Sequence, residues 1–192
     1  MSEITVRGVY FDSEGKENTE RTLEIAKARA DELGIKTILV ATTTGETGAR
    51  AAEFFKGYDL VAVTHSTGFR EPNEQELKEE NRAAIEGAGA RILTCQHAFG
   101  GVGRAVRKKL GTYELGEIIA YTLRIFGQGM KVACEIALMA ADAGLVRTDE
   151  EVIAIAGTGR GADTAVVLVP ANTQTFFDLR ILEILCKPRL GL

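Results

Sequence analysis

A chain of 192 residues is long enough for one well-cored domain and short for two, and a formal net charge of -4 argues against nucleic acid as its main partner. The longest apolar stretch, 132–145, is interrupted by Glu135 and Asp142, so no membrane span is expected, and the amino terminus lacks the basic start and apolar core of a secretory signal. Cys95, Cys134 and Cys186 are odd in number and scattered, which suits reduced thiols and a cytoplasmic location better than a disulfide framework.

Residues 4 to 11 read as a first strand, closed by the polar run DSEGKEN. A helix is expected next, because Leu23, Ala26, Ala30 and Leu33 share a face and Gly34 stands where a left-handed C-terminal residue is wanted. The continuous apolar run KTILVAT predicts a strand, followed by a threonine-rich loop and a helix to about residue 56. YDLVAVTH predicts another short strand, and such uninterrupted apolar runs are those of parallel strands buried on both faces. Residues 71–90 predict a helix, with acidic early turns and Asn73 as its cap, and RILTC a strand.

The order so far alternates strand and helix, which implies parallel strands with helices on the faces. Residues 97–113 are glycine-rich and basic, and are expected as a loop and a short helix, with further helices over 114–125 and 129–143. The small residues Ala133, Ala137, Ala140 and Ala141 let the last of these approach the sheet closely. EVIAIAG and TAVVLVP predict two strands joined by GTGRGAD, a connection too short for a helical crossover, so one of them is expected to run antiparallel to the rest. The closing segment, 176–190, suits either strand or helix. With no internal repeat or linker, residues 1–192 are expected to form a single domain.

In open α/β sheets ligands collect at the carboxyl ends of strands, near a change of strand order. The loop containing Thr43, Thr44, Gly45 and Thr47 is expected there. Its hydroxyls and the free N–H groups of the following helix suit a phosphate, although Thr44 or Thr47 alternatively only caps that helix. The loop THSTGF, with His65, Ser66, Thr67 and Phe69, and the loop TCQHAFGG, with His97 and Phe99, are expected to form a pocket wall together, although each histidine is alternatively a loop residue satisfied by water. The segment Gly127, Gln128, Gly129 and Lys131 offers backbone N–H groups, an amide and an ammonium, with Lys131 as a charge partner if the chain returns to the same sheet end. Gly157, Thr158, Gly159, Arg160, Gly161 and Asp163 suggest a dinucleotide fingerprint, but a strand follows where that motif needs a helix. The loop is therefore read as one that closes over a phosphate or a ring, or as a plain turn with a solvated arginine. The basic group Arg104, Arg107, Lys108 and Lys109 is left as a solvated helix face. Cys95 and His97 supply too few ligands for a structural zinc, and no metal is expected. No catalytic residues are assigned.

The runs TILVATTTGETGARAAEFF and YDLVAVTH, with EVIAIAGTGRGADTAVVLV, resemble the carboxyl-terminal α/β domain of pyruvate kinases. Over nearly its full length the chain is similar to a small family of stand-alone, mostly archaeal proteins built on that domain. The resemblance implies a three-layer α/β/α fold whose mixed sheet has about five strands, one of them antiparallel. It also implies a phosphate held by Thr43, Thr44, Gly45 and Thr47, and flavin mononucleotide (FMN) as the cofactor. Because the chain is shorter than the catalytic (β/α)8 barrel of a pyruvate kinase, that activity is not expected of it. The leading expectation is a binding protein for a phosphorylated small molecule, as a monomer or a homo-oligomer; an FMN-dependent oxidoreductase and a structural subunit are the alternatives.

Overall fold

The computed structural model describes residues 3–189. Among these residues seven strands form one sheet in the order β1-β7-β6-β5-β2-β3-β4, accompanied by six α-helices. In chain order the elements are β1 (Val9–Phe11), α1 (Thr19–Leu33), β2 (Thr37–Ala41), α2 (Glu46–Phe54), β3 (Asp59–Val63), α3 (Glu79–Gly87) and β4 (Arg91–Leu93). They are followed by α4 (Gly101–Leu110), α5 (Leu115–Arg124), α6 (Gln128–Asp142), β5 (Val152–Ala156), β6 (Thr164–Val169) and β7 (Arg180–Pro188).

The mixed α/β class follows from the apolar runs. β5 is buried at every position and β2 at its three central ones, so each needs a covered layer on both faces. On one face Leu23, Ala26 and Ala30 of α1, Ala51 and Ala52 of α2 and Ile85 of α3 pack against Ile38, Val40, Ile153 and Ile155. On the other, α6 sets Met130, Ala133, Ala137 and Ala140 against Leu39, Val61, Ala154 and Val166. Alternate residues of β2 thus serve opposite layers, as the two-residue strand period requires. No helix among the described residues is long and apolar enough to cross a membrane.

The sheet is larger than expected, with seven strands rather than about five. β7 resolves the open reading of the closing segment as a strand, and the short β1 pairs parallel to its end, Val9 opposite Cys186. Neither shows a clean apolar run: the first half of β7 is exposed, and β1 keeps three of the residues expected over 4 to 11. β6 runs antiparallel to both β5 and β7, as the short connection demanded. Gly34 ends α1 in the left-handed region at φ 71°.

The helix expected from Asn73 starts at Glu79 instead, and Asn73 lies in a turn at φ 67°. Tertiary bonds claim the intervening residues. Glu76 pairs with His65 at 2.6 Å and with Arg70 at 2.9 Å, the Gln75 amide donates to His65 O, and the Lys78 N–H donates to Thr44 O. These contacts outweigh the acidic helix-start signal in 71–80.

Candidate functional site

β2, β3, β4 and β5 are mutually parallel, so the loops after them emerge at one rim. The chain moves outward from β2 to β3 and β4, then returns to place β5 on the other side of β2. The rim between β2 and β5 is therefore the switch point of the sheet, where diverging loops leave a crevice. A cavity of about 680 Å³ occupies it.

Its floor is the loop from Thr42 to Gly45 and the first turn of α2. The Thr42 hydroxyl accepts from the Gly48 N–H at 3.2 Å, so Thr42 is the side chain that satisfies the helix start, rather than Thr44 or Thr47. The N–H groups of Thr43, Thr44, Gly45, Glu46 and Thr47 find no acceptor among the described residues. Gly45 sits at φ 94°, and a Cβ there would lie 2.5 Å from Asn81 Cβ and 2.6 Å from Leu77 Cδ1. Glycine thus lets the turn tuck beneath the start of α3, where Thr44 O accepts from the Asn81 amide at 2.8 Å and from the Lys78 N–H at 3.1 Å. The bend is held by its carbonyls, leaving its amides to the cavity.

A second wall comes from the glycine-rich loop after β5. Gly161, at φ 71°, abuts the turn before α1, where an added Cβ would meet Thr19 Oγ1 at 2.4 Å and Lys16 Cα at 2.6 Å. Asp163 is fully buried and bonds inward: its carboxylate accepts from the N–H groups of Gly15 (2.9 Å) and Thr158 (3.0 Å) and from the Thr164 hydroxyl (2.7 Å). It shapes the loop and brings Lys16, Thr19 and Glu20 to the cavity, which it does not itself line. The Thr158 hydroxyl is buried without a partner among the described residues.

The third wall joins α6 to the loops after β3 and β4. Lys131 and Glu135 are both buried and paired across one helical turn. The Glu135 carboxylate also accepts the Phe99 N–H at 3.0 Å and lies 3.5 Å from His97 Nδ1. Burial works to raise the Glu135 carboxyl, but the His97 bond and the Lys131 charge prevail and hold it at about 2. Burial lowers Lys131 from its ordinary value, opposed by Glu135 and aided by Arg124 and Arg104. His65, bonded to Glu76, stacks on Phe69 at 4.0 Å; Phe69 stacks on His97 at 4.9 Å, and the Arg104 guanidinium lies 4.4 Å from the Phe69 centroid. Burial lowers His65, against the pull of Glu76 and with the help of His97 and Arg70.

Seven cationic side chains line the cavity against three carboxylates, in a chain of net charge -4. Arg50 is held by Glu20, and Lys16 lies 3.8 Å from Glu46. Arg104, Arg124 and Arg160 have no carboxylate partner among the described residues, so the cleft carries uncompensated positive charge. Such a rim attracts anions before any contact forms.

Of the residues expected from sequence, Thr43, Thr44, Thr47, His65, Gln128, Lys131, Gly157, Gly159, Arg160 and Gly161 line this one cavity. Gly45 and Thr158 shape its loops. Ser66 lies on a smaller neighbouring hollow with Gly68 and Gln96, and Thr67 lines neither. Gly127, at φ 121°, precedes α6, and Gly129 is a close-approach point where a Cβ would lie 2.1 Å from Thr164 Oγ1. Phe99 is a correction to the expected pocket wall. It is buried against Ala120, Cys134, Leu138 and Phe176, because the Glu135 bond to its N–H turns the loop inward. Of the two phenylalanines expected there, Phe69 lines the cavity, beside the rings of His65 and His97.

Arg104, Arg124 and Glu135 were not expected. Glu135 alone had a local signal, its four-residue spacing from Lys131. Nothing local distinguishes Arg104 or Arg124 from arginines on a solvated face.

A family model described as the pyruvate kinase alpha/beta domain matches residues 20–168. Among solved structures, a pyruvate kinase from Cryptosporidium parvum is similar at 13% identity over 80% of this chain, with a TM-score of 0.41. The chain spans 23% of the length of that enzyme.

Proposed function

The chain belongs to the family of pyruvate kinase alpha/beta domains, and from that premise we propose that it binds a phosphorylated small molecule, with flavin mononucleotide as the ligand. The observation that carries this reading is the bend from Thr43 to Thr47, whose five unpartnered N–H groups lie beside a cleft with an excess of arginine and lysine. Amides at a helix start combine hydrogen-bond donors with the positive end of the helix dipole, which suits a phosphate. The hydroxyls of Thr43, Thr44 and Thr47 add donors beside them.

The residues also fit the rest of such a ligand. Ala41, Val63, Val132, Ile136 and Met139 line the cavity with apolar surface, while Gln128 and Arg160 supply polar groups at its edge. A volume of about 680 Å³ falls within the usual range of small-molecule sites, roughly 300–1,000 Å³. In this reading the protein is cytoplasmic and serves as a receptor or store for the cofactor.

The flavin-dependent oxidoreductase alternative gains from one observation. His65 and His97, each held by a carboxylate, line the same cavity with ring centroids 5.4 Å apart. Bound flavin supplies electron chemistry, and carboxylate-oriented imidazoles are suited to moving protons beside it.

Titration of the protein with flavin mononucleotide, followed by visible absorbance, tests the proposal. Saturable binding is expected, and T44V/T47V is expected to weaken it by about 1.5–3 kcal/mol for each hydrogen bond lost to a charged group. Unchanged affinity in that variant removes the loop from the site. Bleaching of the bound flavin by a physiological reductant moves the assignment to the oxidoreductase.

A further inference from the structure

The wall that α6 gives to the cleft is divided lengthwise. Gln128, Lys131 and Glu135, at i, i+3 and i+7, form a polar stripe, and Val132, Ile136 and Met139 form an apolar one beside it; all six line the cavity. Arg124 at the end of α5 and Arg104 on α4 extend the polar stripe. That stripe offers donors. The Gln128 carbonyl accepts from Arg124 Nε at 2.7 Å, which leaves the Gln128 NH2 group without a partner among the described residues. Glu135, the carboxylate on this wall, is already engaged by Lys131, the Phe99 N–H and His97. The other two carboxylates of the cavity, Glu20 and Glu46, stand with Arg50 and Lys16 on the side of α1 and α2. Arg104 and Arg124 lie near enough to Lys131 to act against its charge, so three cations share this wall with one carboxylate.

We infer that Arg104, Arg124, Gln128 and Lys131 take the pyrimidine edge of the isoalloxazine ring and bind reduced, anionic flavin more tightly than oxidised flavin, an inference that rests on flavin mononucleotide being the occupant of the cleft. The ring is itself divided in the same way as the wall. Its dimethylbenzene end is apolar and suits Val132, Ile136 and Met139, whereas its pyrimidine end carries the acceptors N1, O2 and O4 that a row of donors requires. Reduction adds two electrons and one proton, the proton at N5, and at neutral pH leaves a negative charge spread over N1 and the C2 carbonyl. Positive charge already fixed on the wall meets that new charge without reorganisation. A hydrogen bond to a charged acceptor exceeds one to a neutral acceptor by about a factor of ten in equilibrium constant. The phosphate carries the same charge in both states, so the threonine bend holds both equally.

Anaerobic ultrafiltration of the full chain with oxidised flavin mononucleotide, and with the same compound reduced by dithionite, gives the two dissociation constants that test this. The reduced form is expected to bind the wild-type chain about tenfold more tightly, which for a two-electron couple places the bound midpoint about 30 mV above that of the free cofactor. R124Q and R104Q are expected to bring the ratio toward one with an unchanged circular dichroism spectrum, and a fall in either supports the assignment. Neither substitution strands a carboxylate, because Arg124 bonds the Gln128 amide and Arg104 packs on Phe69. T44V/T47V is expected to weaken both forms alike and keep the ratio. Wild-type protein that binds oxidised flavin but prefers the reduced form no more strongly overturns the inference alone, as does a preference that survives both arginine substitutions. A chain that binds neither form overturns the ligand reading, and the inference with it.

Discussion

Gly45 satisfies two demands at once, a φ of 94° and contact with the Asn81 and Leu77 side chains. G45A is therefore expected to destabilise the fold by about 1–3 kcal/mol, through backbone strain and overpacking together, and to weaken ligand binding by displacing the amides. Urea unfolding and the flavin titration measure the two effects separately. Glu135 predicts an acid dependence. Its carboxyl holds a proton less tightly in the folded chain, at about 2, than at its ordinary value of 4.5, so the unfolded chain takes up the proton first as pH falls. The stability it contributes is complete above pH 4.5 and is lost progressively toward pH 2, on the order of 3 kcal/mol in all. E135Q is expected to be less stable at neutral pH and to show a flatter decline between pH 4.5 and 2, which urea midpoints across that window check. Lys131 was legible in the sequence as a charge near a helix start, because it closely follows Gly127 and Gly129. The partnership of Glu135 with His97 was not, because those residues meet only after the loop following β4 folds over α6.

At the scale of elements, α6 shows how residue size sets distance. Ala133, Ala137 and Ala140 are fully buried against the sheet, among the larger Met130, Ile136 and Met139 of the same helix. A137L is expected to cost about 1–3 kcal/mol by forcing helix and sheet apart, with a lowered unfolding midpoint as the measurement. The small-residue stripe was visible in the sequence, as were the buried strands and the left-handed stop at Gly34. α3 was only half legible. Its acidic start looked like a helix beginning at Asn73, yet Glu76 and Gln75 are drawn back to His65 and the helix begins six residues later. Local propensity amounts to tenths of a kcal/mol per residue, and a few buried polar contacts exceed it.

For the whole molecule, the ligand is expected to act as a stabiliser in proportion to its occupancy. Flavin mononucleotide at about 100 times its dissociation constant should raise the unfolding free energy by about 2.7 kcal/mol, read as a higher thermal midpoint. Affinity is expected to fall with added salt, because Arg160 is exposed and its attraction is screened. The sequence alone determined the alternation of strand and helix, the parallel core, the single reversed strand and the threonine bend. Each of these is dictated by residues close in the chain: apolar period, turn chemistry and connection length. Tertiary structure decided the seven-strand order, the placing of β1 at the edge with β7 beside it, and the meeting of Arg104, Arg124 and Arg160 around one cleft. Those depend on which distant segments lie side by side, and a solvated arginine and one facing a ligand carry the same local pattern until the fold brings the loops together.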